Sequence, residues 1–333
     1  MFFPRTFCTS ESLLPAAEEK SVFSYLNCVL QGDALHVLQT LPDNVVDLIV
    51  TSPPYADQHA ATYGGVKPDE YADWFLPIAD QLLRVLKPEG SLILNIKERV
   101  VNGERHTYVL ELIIKMRQQG WLWTEEYVWH KRNCYPGKWP NRFRDAWERC
   151  LHFTKQRKFA MYQEAVMVPM GDWKNSRLAK LSETDQKRDN SRVLSGFGKN
   201  ISNWVGREMA FPTNVVHLAT ECGNRSHSAA FPIELPSWFI KLFTQPGDLV
   251  LDPFLGSGTT AVAAQALDRR YVGIEINPEY VALAQERLRP RASANLFTVK
   301  EKAKRSYKRR KPRHLHSSQS MSTTTLTTST STV

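Results

Sequence analysis

The stretch Asp248-Leu-Val-Leu-Asp252-Pro-Phe-Leu-Gly256-Ser-Gly258-Thr-Thr260 carries the clearest indication of the fold. Residues 248–252 form an apolar run of strand length, and the glycine-containing turn after it leads into an alanine-rich helix over 259–267. A second strand over 270–275 and a helix over 278–288, with a proline at its start, follow directly. Strands that alternate with helices in this way are typical of a parallel sheet.

The same alternation appears in the first half of the chain. Asp47-Leu-Ile-Val50 is an apolar strand, residues 71–86 have helical spacing of their apolar side chains, and residues 91–95 form another strand. We therefore predict an α/β fold with a doubly wound, mostly parallel, Rossmann-like sheet. Its two segments are residues 27–130 and residues 226–290.

Positive charge is concentrated in two segments of a chain whose net charge is +9. Residues 131–225 hold eighteen Lys and Arg against nine Asp and Glu, and residues 300–313 carry a net charge of +8. A basic stretch with interleaved aromatic residues is the electrostatic footprint of a protein that binds nucleic-acid phosphates, although a solvated basic face is the alternative. Residues 131–225 also lose the alternation of strands and helices, so we predict an inserted, mostly irregular region or small subdomain there.

Composition narrows the class of protein further. Thirteen of the seventeen residues over 317–333 are Ser or Thr, so residues 291–333 are predicted to form a basic and then Ser/Thr-rich disordered tail. No apolar run approaches the ~20 residues that span a bilayer, and residues 1–20 lack the pattern of a signal peptide. The five cysteines form no C-x-x-C pair, so neither a metal site nor a disulfide framework is expected.

The turn over residues 252–260 predicts a ligand site, because ligands of open α/β sheets bind beyond the carboxyl ends of the strands. Glycines there let the backbone approach a ligand closely. Glu275 ends the next strand, where a carboxylate can accept hydrogen bonds from both hydroxyls of a ribose. No Lys follows Gly258 as in a phosphate loop, and Ala261 takes the place of the third glycine of a dinucleotide fingerprint. A nicotinamide oxidoreductase is therefore only a fold-level alternative.

A second motif, Thr51-Ser52-Pro53-Pro54-Tyr55, follows the strand over residues 47–50. Its two prolines fix the backbone, so it predicts a rigid loop. The Ser52 hydroxyl and the Pro53 carbonyl can accept the two hydrogens of an exocyclic amine, which orients the lone pair of that amine. Tyr55 can stack on a base that has been taken out of a duplex. A purely structural loop is the alternative reading of the motif alone.

The two motifs together resemble those of the β-class amino-DNA methyltransferases, the cytosine-N4 and adenine-N6 family of the TSPPY type. Residues 252–260 resemble the family's S-adenosylmethionine motif, and residues 51–55 resemble its (D/N/S)-P-P-(Y/F) catalytic motif. The catalytic motif precedes the cofactor motif by about 200 residues, which resembles the β-class order. The resemblance implies a methyltransferase sheet with a basic target-recognition region inserted at residues 131–225.

The resemblance also implies roles for individual residues. The cofactor is S-adenosyl-L-methionine, with Asp252, Phe254 and the glycines against its methionine and sulfonium part and Glu275 at its ribose. The implied catalytic residues are Ser52, Pro53, Pro54 and Tyr55. The implied cofactor contacts are Asp33, Phe231, Asp252, Pro253, Phe254, Gly256, Ser257, Gly258, Thr259 and Glu275. The basic residues expected to contact DNA are Lys131, Arg132, Lys138, Arg142 and Arg144.

The function implied is that of a site-specific DNA methyltransferase acting on the N4 amine of a flipped-out cytosine. Ser at the first motif position is typical of cytosine-N4 enzymes, and adenine-N6 methylation is the alternative. Carbon-5 methylation needs a thiolate, usually in a Pro-Cys pair, and the chain has no such pair. Methylation of RNA or of a protein amide, and a catalytically inactive DNA-binding protein, are less favoured because both motifs are intact and the first begins with Ser.

The partners follow from this function. Double-stranded DNA is the expected partner, no membrane is involved, and a cognate restriction endonuclease would accompany a restriction-modification enzyme. The choice between monomer and dimer stays open. The expected location is the cytoplasm, at the nucleoid, or the nucleus if the host is eukaryotic.

Overall fold

The computed structural model describes residues 25–57, 65–134, 137, 141–171, 182, 204–220 and 231–289. The tail predicted over residues 291–333 lies outside these described residues. The strands in chain order are β1 (Cys28–Gln31), β2 (Val46–Thr51), β3 (Leu86–Ile96), β4 (Val100–Val101), β5 (Glu104–Arg105), β6 (Leu122–Lys131), β7 (Trp147–Thr154), β8 (Val168–Pro169), β9 (Met209–Ala210), β10 (Val215–Leu218), β11 (Leu249–Asp252) and β12 (Arg270–Glu275). The α-helices are α1 (Ala34–Leu38), α2 (Pro68–Val85), α3 (Tyr108–Gln118), α4 (Glu234–Phe243), α5 (Thr259–Ala266) and α6 (Pro278–Leu288).

Eight of the strands form one central sheet, in the order β1-β12-β11-β2-β3-β7-β6-β10. Only β7 runs against its neighbours β3 and β6, and the other neighbouring pairs are parallel. The prediction of an α/β fold with a mostly parallel sheet is therefore confirmed.

Helices cover both faces of this sheet, which is the doubly wound arrangement. Along β2, Ile49 packs into the core that α1, α2 and α3 share, while Leu48 and Val50 pack into the opposite core beneath α4, α5 and α6. This alternation follows from the two-residue period of a strand, because successive side chains point to opposite faces. Both faces of the strand are thus apolar, as expected for a buried parallel sheet.

Two strands of the central sheet, β7 and β10, lie inside residues 131–225, where the sequence predicts mostly irregular structure. Residues 150–154 of β7 are all buried, yet they include His152 and Thr154 beside the apolar residues. The second and third residues of the strand, Glu148 and Arg149, are charged. These polar residues interrupt the apolar pattern that would predict a buried strand. Their burial depends on hydrogen bonds and ion pairs that form only in the folded protein, so the sequence alone does not predict it.

The carboxyl ends of the seven parallel strands meet at one edge of the sheet, which we call the carboxyl edge. β7 runs the opposite way, so it contributes its first residues, Trp147 and Glu148, to this same edge. The residues that end the parallel strands at this edge are Gln31, Thr51, Ile96, Lys131, Leu218, Asp252 and Glu275. Both sequence motifs therefore open onto the same edge.

In the described part of the chain, no helix has the length and apolar character needed to cross a membrane.

Candidate active site

Asp252 is the buried centre of the cofactor motif. One carboxylate oxygen, Oδ1, accepts hydrogen bonds from the Thr51 hydroxyl at 2.7 Å and from the Phe254 amide at 3.1 Å, while Oδ2 accepts one from the Thr260 hydroxyl at 2.6 Å. Burial and, to a smaller extent, the nearby charge of Glu275 outweigh the lowering effect of these hydrogen bonds and raise the pKa of Asp252 to about 6. The carboxylate thus ties the glycine turn to the strand that carries the catalytic motif.

Glu275 is also buried and holds the glycine turn from the next strand. Its Oε2 accepts a hydrogen bond of 2.7 Å from the Gly256 amide, and its Oε1 accepts one of 2.8 Å from the Asn277 amide. Burial raises the pKa of Glu275, and these backbone hydrogen bonds partly offset that effect. Because an ionised carboxylate has about four acceptor sites, both oxygens keep capacity for the hydroxyls of a ribose.

The glycine turn needs glycine for two separate reasons. Gly256 and Gly258 have φ angles of 54° and 89°, in the left-handed region that other residues rarely adopt. A Cβ atom at Gly258 would also lie only 2.8 Å from Cβ of Ala284 on α6. The turn therefore brings its backbone close to both the neighbouring helix and the carboxyl edge.

Two further residues of the turn are held from α6. Arg287 donates from Nη1 to the carbonyl and hydroxyl oxygens of Ser257, at 2.6 and 2.9 Å, and to the hydroxyl of Thr259 at 3.2 Å. Arg287 is a residue that the motif alone does not reveal, since it lies about 30 positions later in the chain. It fixes the turn whose backbone would face the cofactor.

The remaining predicted cofactor residues lie around this centre. Asp33 caps α1, accepting a hydrogen bond of 3.2 Å from the His36 amide, and it follows β1, which pairs with β12 beside Glu275. Phe254 packs towards α2, and its ring centroid lies 6.0 Å from that of Trp74. Phe231 packs on the opposite face of the sheet, and Pro253 is buried beside Asp252. The structure thus brings Asp252, Glu275 and the glycines together, with the two phenylalanines on different faces.

Hydrogen bonds fix the catalytic motif at the end of β2. The Tyr71 hydroxyl donates to the Pro54 carbonyl at 3.0 Å. The Tyr55 hydroxyl donates to Oε2 of Glu148 at 2.8 Å, and the Ser52 hydroxyl donates to the Tyr55 oxygen at 3.4 Å. Burial and the charge of Glu148 hold the pKa of Tyr55 well above its ordinary value, so the hydroxyl keeps its proton.

Glu148 is the residue of this site that the sequence motifs miss. It is 7% exposed, and besides the Tyr55 hydroxyl it accepts a hydrogen bond of 2.5 Å from Nζ of Lys131. The Asn95 side chain completes the cluster, with Oδ1 lying 3.3 Å from the Tyr55 hydroxyl. The only available signal is an acidic residue at the start of a strand in a basic region, which alone does not indicate a catalytic neighbour.

The residues predicted to contact DNA have different environments. Lys131 is mostly buried in its ion pair with Glu148, and its Nζ lies 5.0 Å from the ring centroid of Trp129. Arg132 and Arg144 are exposed, and Arg142 is half-buried. Lys138 lies outside the described residues. Across the described residues, no group of three or more His, Cys, Asp or Glu side chains is arranged to hold a metal ion.

Residues 46–286 match the family described as DNA methylase, so the chain belongs to that family. The prediction of an amino-DNA methyltransferase of this family is confirmed. Type II methyltransferase M.PvuII of Proteus hauseri is 32% identical over 275 residues, which cover 75% of this chain and 80% of that relative. Type II methyltransferase M.BglII of Bacillus subtilis is 30% identical over 273 residues, which cover 79% of this chain and 69% of that relative.

Solved structures agree with this assignment. The PvuII DNA methyltransferase, described as cytosine-N4-specific, superposes with a TM-score of 0.60 and 26% sequence identity over 84% of this chain and 91% of its own. A Thermus thermophilus protein, solved in complex with S-adenosyl-L-methionine, shares the fold with a TM-score of 0.51 and 24% identity. Its match covers 78% of this chain and 92% of its own.

Proposed function

We propose that this protein transfers a methyl group from S-adenosyl-L-methionine to the N4 amine of a cytosine flipped out of duplex DNA. One observation carries the proposal, the hydrogen bond of 2.7 Å between Thr51 and Asp252. Thr51 directly precedes Ser52 of the catalytic motif, and Asp252 directly precedes the glycine turn. A base held by the first loop therefore lies beside a cofactor held by the second.

The choice of cytosine over adenine rests on two supports. The catalytic motif begins with Ser52, as is typical of cytosine-N4 enzymes. The PvuII methyltransferase, which is described as cytosine-N4-specific, also resembles this chain in both sequence and structure. Adenine N6 is the alternative target, and the chemistry of the loop would be the same for it.

The residues at the glycine turn fit S-adenosyl-L-methionine. Glu275 keeps acceptor sites for two ribose hydroxyls, and Gly256 and Gly258 allow close approach of the backbone. The buried carboxylate of Asp252 suits a cofactor that carries positive charge on its sulfonium and ammonium groups. When bound, this cofactor supplies a methyl group on a sulfonium, which is a good leaving group.

The catalytic loop orients the amine that attacks this methyl group. The lone pair of an exocyclic amine is delocalised into the ring, so orientation and exclusion of water are the main contributions a protein can make. Ser52 donates its own hydrogen to Tyr55, which leaves the Ser52 oxygen free to accept a hydrogen from the amine. The Pro53 carbonyl can accept the second hydrogen. The half-buried ring of Tyr55 is the candidate for stacking on the flipped base.

The same hydrogen bonds offer a route for the proton that the amine loses after methylation. Ser52 would accept this proton and pass its own hydrogen to Tyr55, and Tyr55 would pass its hydroxyl hydrogen to Glu148. Each hydroxyl gives one hydrogen and receives one, so Tyr55 stays neutral, in keeping with its raised pKa. Glu148 ends the relay as the carboxylate that receives the proton.

We also propose that residues 131–225 contain the target-recognition region, between the catalytic half at 27–130 and the cofactor-binding half at 226–290. The net charge of +9 over these residues supports contact with DNA phosphates. Arg132, Arg142 and Arg144 follow β6 at the carboxyl edge and are the candidates for such contacts, together with Lys138. Lys131 instead positions Glu148. A cognate restriction endonuclease as partner, and a cytoplasmic location at the nucleoid, belong to the same proposal.

Mass spectrometry of nucleosides tests the reaction directly. Purified protein is incubated with unmethylated duplex DNA and S-adenosyl-L-methionine, and the DNA is digested and analysed. N4-methylcytosine is the expected product, and sequencing of the methylated DNA then locates the target site. N6-methyladenine would overturn the choice of base and keep the site, while absence of any methylated nucleoside would contradict the proposed function.

Substitutions separate the two loops. Ser52→Ala should lower kcat by about 10²-fold or more while leaving cofactor affinity unchanged, because it removes an acceptor for the amine. Asp252→Ala and Glu275→Ala should instead weaken cofactor binding, measured by calorimetry. Ser237→Ala is the matched control, because the only described hydrogen bond of the Ser237 hydroxyl goes to the carbonyl of Ile233, the residue before α4. Unchanged turnover in Ser52→Ala would contradict the assignment of the catalytic loop.

A further inference from the structure

Phe143 is the most exposed large apolar side chain in the part of the chain that the structure describes, at 98%. It lies in the segment 141–146, which precedes β7. Its neighbours in the chain, Arg142 and Arg144, are both basic. An exposed aromatic side chain flanked in the chain by two arginines has the composition of a surface that meets a stacked, negatively charged polymer.

The backbone beneath Phe143 is fixed although the ring itself contacts little. The Asp145 carboxylate forms ion pairs with Lys97 at 3.0 Å and with Arg105 at 2.6 Å. Burial would raise the pKa of Asp145, but the hydrogen bonds from Lys97 and Arg105 outweigh it and lower the pKa. The Ala146 carbonyl also accepts a hydrogen bond of 2.7 Å from the Lys131 amide. The segment therefore presents the ring from an anchored position.

This anchored segment lies at the carboxyl edge beside the catalytic loop. Five residues after Phe143, Glu148 accepts the hydrogen bond from Tyr55. On the other side, Lys97 directly follows β3, whose Asn95 also faces the Tyr55 hydroxyl. The strands on both sides of this segment thus meet at the Tyr55 hydroxyl of the loop that would hold the flipped base.

We propose that Phe143 is a wedge that enters the DNA base stack at the target site, with Arg142 and Arg144 on the adjacent phosphates. The inference rests on the proposed methylation of a flipped base. A base taken out of the duplex leaves an unstacked gap, and an apolar side chain that fills this gap stabilises the flipped state. Phe143 would then act through the DNA and touch neither the cofactor nor the reacting amine.

The test compares two DNA substrates that differ only in the cost of flipping. The first is a duplex with the mapped target base normally paired, and the second places an abasic site opposite that base. Phe143→Ala should lower kcat/KM by about tenfold or more on the paired duplex, because no aromatic ring then fills the space left by the flipped base and stabilises the flipped state. On the second substrate the target base is already unpaired, so the loss should shrink to roughly threefold or less.

Two control variants accompany the comparison. Phe143→Trp keeps a large flat ring and should retain most of the activity on the paired duplex. Ile114→Ala removes an apolar side chain that is 56% exposed on α3, and it should change activity on neither substrate. Because all three substitutions lie at the surface, the variants should fold with unchanged thermal stability and bind S-adenosyl-L-methionine normally.

Two results would overturn the wedge. Phe143→Ala with wild-type activity on the paired duplex would show that the ring does not contribute. An equal loss of kcat/KM on both substrates would mean that Phe143 contacts the DNA without contributing to base flipping. A wild-type product other than N4-methylcytosine would change the proposed function and leave this comparison intact, because both substrates report on whichever base is methylated.

Discussion

Thr51 donates a hydrogen bond of 2.7 Å to Asp252 although 201 positions separate the two residues in the chain. They end the neighbouring parallel strands β2 and β11. Because these strands lie side by side, the catalytic loop and the glycine turn leave the sheet next to each other. For a base held by the first loop and a cofactor held by the second, as proposed, the spacing of these two strands would set the distance between them.

Thr51→Val should destabilise the protein by about 1.5–3 kcal/mol, the usual contribution of a hydrogen bond to a charged group. Valine keeps the shape of threonine, so packing changes little while a buried carboxylate loses a donor. Urea unfolding measures the free energy of unfolding. Thr40→Val is the matched control, since the Thr40 hydroxyl donates to the Val37 carbonyl in an exposed position, and its effect should stay within about 0.5 kcal/mol. Equal effects of the two substitutions would contradict this prediction.

The raised pKa of Asp252 predicts a specific dependence of stability on pH. In the folded protein the pKa is about 6, against an ordinary value of 3.8, so the folded state binds this proton more tightly than the unfolded chain does. Ionisation of Asp252 therefore lowers the free energy of unfolding as pH rises from about 4 to about 6, with little further change above that window. Stability is lost as the pH rises because folding raises the pKa of Asp252.

Asp252→Asn isolates this contribution, because asparagine does not titrate. The difference in unfolding free energy between the variant and the wild type should move in favour of the variant from about pH 4 to about pH 6, on top of a constant offset. The upward shift of the pKa of Glu275 is common to both proteins and should largely cancel. Urea unfolding at a series of pH values measures the difference. Parallel stability curves for the two proteins would show that Asp252 titrates normally.

Glu148→Gln should lower kcat by about 10²-fold with little change in cofactor affinity, because the relay from Ser52 and Tyr55 loses its final carboxylate. The same substitution leaves the mostly buried Lys131 without its charged partner, so stability should also fall. Single-turnover methylation and calorimetry measure the two effects.

The double variant Glu148→Gln with Lys131→Met separates a catalytic role from a structural one. It removes both charges of the buried pair, so it should regain stability relative to Glu148→Gln alone. Turnover should stay low because the carboxylate is still missing. Recovery of turnover together with stability would mean that Glu148 acts only by supporting the fold around Tyr55.

Gly258→Ala and Gly247→Ala form a matched pair, since their φ angles are 89° and 90°. A Cβ atom at Gly247 meets nothing within 4 Å, whereas one at Gly258 meets Ala284. Gly247→Ala should cost about 1–2 kcal/mol from the left-handed backbone alone. Gly258→Ala should cost about 1–3 kcal/mol more from overpacking, and it should also weaken cofactor binding. Similar stabilities for both variants would contradict the close approach of α6.

The sequence predicts those elements of the fold that depend on interactions between residues close together in the chain. The apolar strands at 47–50 and 248–252 and their loops are visible because burial, turn geometry and helix formation each leave a mark within a few residues. The position of β7 and the role of Glu148 are not visible. Both depend on pairing across the sheet, where the antiparallel strand β7 brings its amino end to the carboxyl edge. The burial of Lys131 cannot be predicted for the same reason. A basic residue at the end of a strand is expected to be exposed, and its ion-pair partner Glu148 lies on a different strand.

The order of strands in the sheet has a consequence for how the chain matures during synthesis. β11 and β12 insert between β1 and β2, so β1 has no neighbour in the sheet, and β2 has only β3, until these late strands leave the ribosome. A nascent chain that ends before Glu275 can present the catalytic loop but cannot close the sheet beneath it. Because β11 and β12 carry Asp252 and Glu275, the glycine turn and its carboxylates come together only once these final strands have docked, and pairing between segments so distant in the chain slows folding in general.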